Sequence, residues 1–381
     1  MRRIYFDHNA TTPAEPRVVK LVLEQAENFW GNPSSGHLDG EKAKRVIEEN
    51  RAIIAKAINA KEREIVFTSG GTEANNLAIK GVAEALGKKG KHLITSSIEH
   101  ESVRRVFRQL EKKGFEVSWL GVDAEGVIDP RVFEKALRED TILVSIMLAN
   151  NEIGTIQPIK QLAGIAHKKG VYFHCDGVQG LGKIPIDVEE LGVDLMSLSG
   201  HKVYGFKGIG ALYIRRGVKF IPQIVGGHQE RNRRAGTENI VGIMSFGYAV
   251  KLYLEEGKEW EKKVLWLRDK LEKGLKERFP EIKFNSRARN RLPNTVNVSF
   301  PGMDGEIILL NLDALGVSVS TGSACRAGMV EPSYVLRAIG LDEAEAKSAL
   351  RISLGKDNTE EEVKQFLRVL EAVLNRIKKE N

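Results

Sequence analysis

Phe173-His174-Cys175-Asp176-Gly177-Val178-Gln179, followed by Ser197-Leu198-Ser199-Gly200-His201-Lys202, is the stretch on which the fold turns. In each half an apolar run ends in polar residues, and open α/β sheets hold their ligands at the carboxyl ends of strands. Outward from this pair, residues from about 17 to 250 alternate short β-rich runs with helical periodicity. Glu64–Phe67, His92–Thr95, Ile142–Met147, Val171–His174, Leu195–Leu198 and Gly210–Ile214 read as strands. Val103–Lys113, with Val103, Val106, Phe107 and Leu110 on one stripe, reads as a helix between them. The pattern predicts an α/β fold in which helices cover a mostly parallel sheet.

The composition changes at Lys251–Arg278, a charged helix in which Leu252, Trp260, Val264, Leu267, Leu271 and Leu275 recur near helical spacing. Beyond it, Thr295–Phe300 and Val317–Ser320 read as strands and Gly305–Leu315 as a helix. The last helix opens on Thr359 with Glu362 three residues on, a capping box, and carries the stripe Val363, Phe366, Leu367, Leu370, Leu374 and Ile377. This half is expected to be a smaller α+β domain. The division is residues 13–250 for the large domain, with 1–12 and 251–381 forming the small one.

The 381 residues are 42% hydrophobic and 29% charged, the composition of a soluble globular chain of about two domains. The 58 basic residues exceed the 51 acidic ones by a net charge of +7, but they are interspersed along helical faces with no base-reading motif. Solvated helix faces are expected, not a nucleic-acid site. Two cysteines exclude a disulfide framework and a four-cysteine zinc site. The start, Met1 to Asp7, has no apolar signal-peptide core, and the apolar run Ile307–Leu315 is broken by Asn311 and Asp313. A cytoplasmic protein without a membrane partner is the expectation.

Thr68-Ser69-Gly70-Gly71-Thr72-Glu73-Ala74-Asn75 leads from a strand into a helix, where exposed N–H groups favour an anion; a plain tight turn explains the glycines equally well. Gly177 to Lys183 fits the first seven positions of a nucleotide P-loop, but Ile184 replaces the magnesium-binding hydroxyl and Pro185 follows it, so that reading fails. Singly, Asp176 reads as a cap and Lys202 as a surface lysine. Together they supply a carboxylate for a pyridinium nitrogen and an amine for a Schiff base, with Ser199, His201 and the glycine turn as phosphate donors: the requirements of pyridoxal phosphate.

At these residues the chain resembles the class V aminotransferase family, fold type I, and within it the cysteine desulfurases of the NifS/IscS type. The matches run nearly end to end, through Tyr5 to Thr12, Gly31-Asn32-Pro33-Ser34-Ser35, Thr68 to Asn76, Glu99-His100, Ala149 to Gly154 and Ser199 to Lys202. They continue through Arg234 to Asn239, Gly322-Ser323-Ala324-Cys325, Glu331 to Tyr334 and Leu350 to Gly355. The resemblance implies a fold type I enzyme with a mostly parallel seven-stranded sheet between helices plus the smaller α+β domain. It implies that Lys202 binds pyridoxal 5'-phosphate covalently, Asp176 pairs with its ring nitrogen, Gln179 bonds its ring hydroxyl and His100 stacks on the ring. Gly71, Thr72, Ser199 and His201 would hold the phosphate, with Thr237 contributed from the neighbouring subunit of a homodimer. Arg351 would bind the substrate carboxylate, with Asn151 near cofactor and substrate and Asn32 assisting.

Cys325 decides the activity within this resemblance. It lies in a small-residue, glycine-containing loop of about 320–333, a composition suited to motion, whereas Cys175 sits in an apolar run and reads as structural. The implied reaction converts L-cysteine to alanine and leaves a persulfide on Cys325, for delivery to an iron–sulfur scaffold protein and to carriers for tRNA thiolation. Transient ligation of an iron–sulfur cluster by Cys325 stays open, and no other metal ligand is expected. A selenocysteine lyase, a plain aminotransferase and a non-catalytic adaptor are the rivals; the cysteine loop argues against the first two, and the presence of Lys202, Asp176 and Cys325 against the third. Among departures from the family pattern, Asn232 stands where glycine is usual.

Overall fold

The computed structural model describes residues 3–321 and 332–380. Along the chain run the strands β1 (Ile4–Tyr5), β2 (Ile65–Thr68), β3 (His92–Ser96), β4 (Glu116–Leu120), β5 (Thr141–Met147), β6 (Tyr172–Asp176), β7 (Leu195–Ser199) and β8 (Gly210–Ile214). After the Ile240–Arg278 helix come β9 (Lys283–Phe284), β10 (Thr295–Ser299), β11 (Val317–Ser318) and β12 (Ala349–Ser353). The seven strands β2 to β8 form one sheet in the order β2-β8-β7-β6-β5-β3-β4. Only β8 runs against its neighbours; the other pairings within the sheet are parallel. The expected α/β architecture is therefore the one that forms.

Burial explains which strands the pattern revealed. Strands β3, β5, β7 and β8 are buried at every position, because helices cover both faces, and such strands read as mainly apolar runs without the alternation of a half-exposed strand. Strand β4 lies at the sheet edge with Glu116 exposed and only Leu120 fully buried, so its sequence carries no such run and it was not anticipated. On the covered faces, the predicted stripe Val103, Val106, Phe107 and Leu110 is buried along the Glu101–Glu111 helix.

The Ile240–Arg278 helix joins two cores. Its first part places Ile243, Met244, Phe246, Ala249 and Val250 in the core of the large sheet, and its later part places Val264, Leu267, Leu271 and Leu275 in a second core. It starts well before Lys251, where the sequence reading began the helix: Ile240 to Val250 is almost wholly apolar and buried, leaving no polar face to mark the period. The second core surrounds the antiparallel sheet β12-β10-β9 and also takes Ile4 and Phe6 from the N-terminal segment. The final helix, Glu360–Glu380, begins as predicted, with Glu362 N–H donating to Thr359 Oγ1 at 3.2 Å and Thr359 N–H to the Glu362 carboxylate at 3.1 Å. Its stripe from Val363 to Ile377 is buried in that core.

Candidate active site

A cavity of about 330 Å³ opens where the carboxyl ends of β5, β6 and β7 meet the second core. Each element delivers a residue to it: β6 ends on Asp176, the short turn after β7 ends on Lys202, and the Gly71–Leu86 helix presents Gly71 and Thr72 from its first turn. His100 stands at the N-cap of the Glu101–Glu111 helix, Asn151 follows β5, and Arg351 reaches in from β12. Gln179, Ser199 and His201 complete the predicted residues that line it.

Asp176 and His100 are joined by a hydrogen-bond chain. Asn75 Nδ2 donates to Asp176 Oδ2 at 2.8 Å and to Ser102 Oγ at 2.8 Å, while Val178 N–H donates to Asp176 Oδ1 at 3.0 Å. Ser102 Oγ lies 2.8 Å from His100 Nδ1, and the Ser102 backbone N–H donates to the same nitrogen at 3.1 Å. An Nδ1 that accepts a backbone N–H leaves the imidazole proton on Nε2. Burial, reinforced by the charge of Lys202 and opposed by Asp176, lowers the His100 pKa and favours that neutral form.

Lys202 Nζ donates to the carbonyls of Asn9 and Ala10 at 2.6 and 2.7 Å. Asn9 is a buried hub: its carbonyl also receives Gln179 Nε2 at 3.0 Å, and its Nδ2 donates to the Asn151 carbonyl at 3.0 Å and to Thr295 Oγ1 at 2.8 Å. The buried Lys183 donates to Asn9 Oδ1 at 2.9 Å and to Gln179 Oε1. Neither Asn9 nor Lys183 was assigned a role from the sequence. Lys183 lay in the rejected P-loop match, and its burial in a polar network left no periodic trace.

The far end of the cavity suits an anion. Gly70, which precedes the Gly71–Leu86 helix, makes no side-chain cap, so the amides of the first turn are not claimed by a side chain. Ser199 Oγ is buried without a hydrogen-bond partner among the described residues. A Cβ on Gly71 would stand 2.6 Å from Val178 Cγ2, so only glycine fits there. Burial and the charges of Lys202, Lys207 and Lys183 push the His201 pKa down to about 4, leaving a neutral donor beside this end. An amine, a hydrogen-bonded carboxylate and an anion seat with an unpartnered hydroxyl fit pyridoxal phosphate.

Arg351 is buried and oriented by two hydrogen bonds. Its Nη2 donates to Asp7 Oδ1 at 2.7 Å and its Nη1 to the Asn151 carbonyl at 3.3 Å, while Nε has no partner among the described residues. Thr237 and Asn32 do not line the cavity of their own chain. Thr237 is exposed, and the exposed Asn32 turns its Oδ1 back to the Ser34 N–H at 2.9 Å. Cys325 lies outside the described residues. Cys175 is fully buried, and burial with the charges of Asp176 and Glu99 pushes its thiol pKa well up, as a structural cysteine requires. Among the described residues no cluster of metal-ligating side chains occurs, and no helix is long and apolar enough to cross a membrane.

The family model for aminotransferase class-V matches residues 4–366. The chain is 51% identical over 378 residues to a cysteine desulfurase IscS of Dictyoglomus turgidum, covering 99% of this chain and 96% of that relative. Among solved structures, a NifS-like protein superposes with a TM-score of 0.92 at 41% identity, covering 98% of this chain and 99% of the other. SspA in complex with cysteine superposes with a TM-score of 0.80 at 37% identity, covering 93% and 100%.

Proposed function

The chain belongs to the aminotransferase class-V family, and we propose that it is a pyridoxal-phosphate-dependent cysteine desulfurase that converts L-cysteine to alanine. The observation that carries the reading is one cavity holding Lys202, the hydrogen-bonded Asp176, the unpartnered Ser199 Oγ and a guanidinium with an unpartnered Nε. Lys202 would anchor the cofactor covalently, Asp176 would pair with its ring nitrogen, Gln179 and Asn151 would bond its ring oxygen, and His100 would pack against the ring. Gly71, Thr72, Ser199 and His201 would take the phosphate, and Thr237, exposed on its own chain, would serve the phosphate of a second copy in a homodimer. When bound, the cofactor supplies an electron sink that makes the substrate Cα acidic.

The remaining chemistry belongs to side chains. Arg351, steadied by Asp7, forks onto the carboxylate of L-cysteine. The Lys202 amine takes the Cα proton, and His100, with its proton on Nε2, exchanges protons with the thiols. The Cys325 thiolate attacks the substrate sulfur: an S–S bond forms, the C–S bond breaks, and its electron pair stays with the carbon fragment, which is protonated and leaves as alanine. The persulfide on Cys325 then passes to an iron–sulfur scaffold or a sulfur carrier, in the cytoplasm. L-cysteine given to the cofactor-loaded protein with a thiol reductant should yield alanine and sulfide in equal amounts, and Lys202→Ala should yield neither. A keto acid in place of alanine would point to transamination instead.

A further inference from the structure

Lys183 is a buried amine with no role in the reaction just described. Its Nζ reaches two side-chain oxygens, Asn9 Oδ1 at 2.9 Å and Gln179 Oε1. The identity of the first acceptor is fixed, because Asn9 Nδ2 is committed to the Asn151 carbonyl and Thr295 Oγ1, and Asn294 Nδ2 donates to the same Oδ1 at 3.0 Å. The second follows from Lys183 itself. A carboxamide rotated by half a turn would set Nε2–H against an N–H donor, so the amine decides which end of Gln179 faces which way. In the observed orientation Nε2 turns toward the Asn9 carbonyl, the group that also receives Lys202 Nζ, and one of its two hydrogens remains to be given.

We propose that Lys183 is a positioning residue: by donating to Gln179 Oε1 it fixes the carboxamide so that Nε2 presents a donor to the ring oxygen of the cofactor. The inference rests on the cofactor reading above. With the carboxamide reversed, Gln179 would turn a carbonyl oxygen toward an ionised oxygen, so the lysine sets the sign of this contact as well as its geometry. Burial, together with the charges of Lys202 and Arg351, holds its amine below the ordinary lysine pKa, while the two oxygens that face it, Asn9 Oδ1 and Gln179 Oε1, both accept from it.

The test is the pH titration of the visible spectrum of the cofactor-loaded protein, for the unmodified chain, Lys183→Met, Gln179→Leu and the double variant. A donor on the ring oxygen draws charge from it and loosens the proton held on the neighbouring Lys202 nitrogen. Losing that donor should raise the spectral midpoint by about one pH unit, the worth of one hydrogen bond to a charged oxygen. Lys183→Met and Gln179→Leu should each show this rise, and the double variant no more than either. A midpoint unmoved by Lys183→Met, or a shift that adds fully to that of Gln179→Leu, overturns the proposal. Should Lys183→Met fail to fold, Lys183→Gln, which keeps a neutral N–H donor, is expected to stay nearer the unmodified midpoint than Gln179→Leu; a shift as large as that of Gln179→Leu overturns it equally. Absence of a visible band in the unmodified protein would overturn the cofactor reading itself, and is distinguishable because no variant is involved.

Discussion

Arg351 Nη2 donates to Asp7 Oδ1 at 2.7 Å, so the side chain proposed to receive the substrate carboxylate is itself held by the N-terminal segment. Lysine cannot reproduce a fork that serves Asp7, the Asn151 carbonyl and a substrate together. Arg351→Lys is therefore expected to raise the KM for L-cysteine by about tenfold or more, with a smaller change in kcat. Asp7→Ala strips a buried guanidinium of its counter-ion and should lower the unfolding free energy by on the order of 2 kcal/mol. Steady-state kinetics and urea unfolding read the two effects; an unchanged KM in Arg351→Lys would remove Arg351 from substrate binding.

Asn75 gives both amide hydrogens to the site, one to Asp176 and one to Ser102 beneath His100. Asn75→Leu leaves the Asp176 carboxylate short of a donor and should weaken cofactor retention about tenfold, the worth of one charge-assisted hydrogen bond. Equilibrium dialysis against pyridoxal phosphate measures it. Retention equal to that of the unmodified protein would mean that Asn75 serves packing alone.

Acid should destabilise the fold well above the carboxylate range. His8, His174 and His201 have pKa values pushed down to about 4, 3 and 4, in each case chiefly by burial; His174 lies between Ser145 and Ser197 inside the sheet. A histidine depressed in the folded state contributes stability that is complete above about 6.5 and is lost as pH falls toward the folded value. Four groups oppose this: His167, raised by its hydrogen bond to Asp194; Glu99, pushed up to about 8 by burial, whose contribution is lost as pH rises from about 4.5 to 8; and Glu238 and Glu261, raised chiefly by burial. The balance favours loss, and urea unfolding at pH 5 should give a free energy lower than at pH 7 by on the order of a few kcal/mol. Equal stability at the two pH values would contradict the neutral, buried state of these imidazoles.

Asn232 sits at φ 64, the last of three consecutive left-handed residues after Glu230 and Arg231. Asparagine tolerates this region better than other side chains, and its Oδ1 adds a contact to His228 Nδ1 at 2.7 Å. Asn232→Gly should be nearly neutral and Asn232→Val should cost about 1–2 kcal/mol, as read by thermal unfolding. A valine variant as stable as the native chain would show that this turn adjusts freely.

What the sequence revealed and what it hid divide along physical lines. Asp176, Lys202 and the Gly70-Gly71 turn were legible because the buried strands before them are mainly apolar, so the cluster of polar residues and glycines at each strand end stands out. The Thr359 capping box was legible because it is local. Arg351 and Asp7 are 344 residues apart in the chain, and no local pattern links two ends of a chain that meet through β10, β12 and the N-terminal segment. Asn75, Asn9 and Lys183 were hidden for another reason: a buried polar network has no period, and each member reads alone as a helix or loop residue.

The most direct test of the central claim is peptide mass spectrometry of the cofactor-loaded protein after brief exposure to L-cysteine without reductant, with alanine measured in the same sample. The account predicts one sulfur atom added to the peptide containing Cys325 and alanine in matching amount. With pyridoxal phosphate demonstrably bound to Lys202, no added sulfur and no alanine, or sulfur on the Cys175 peptide instead, would contradict it.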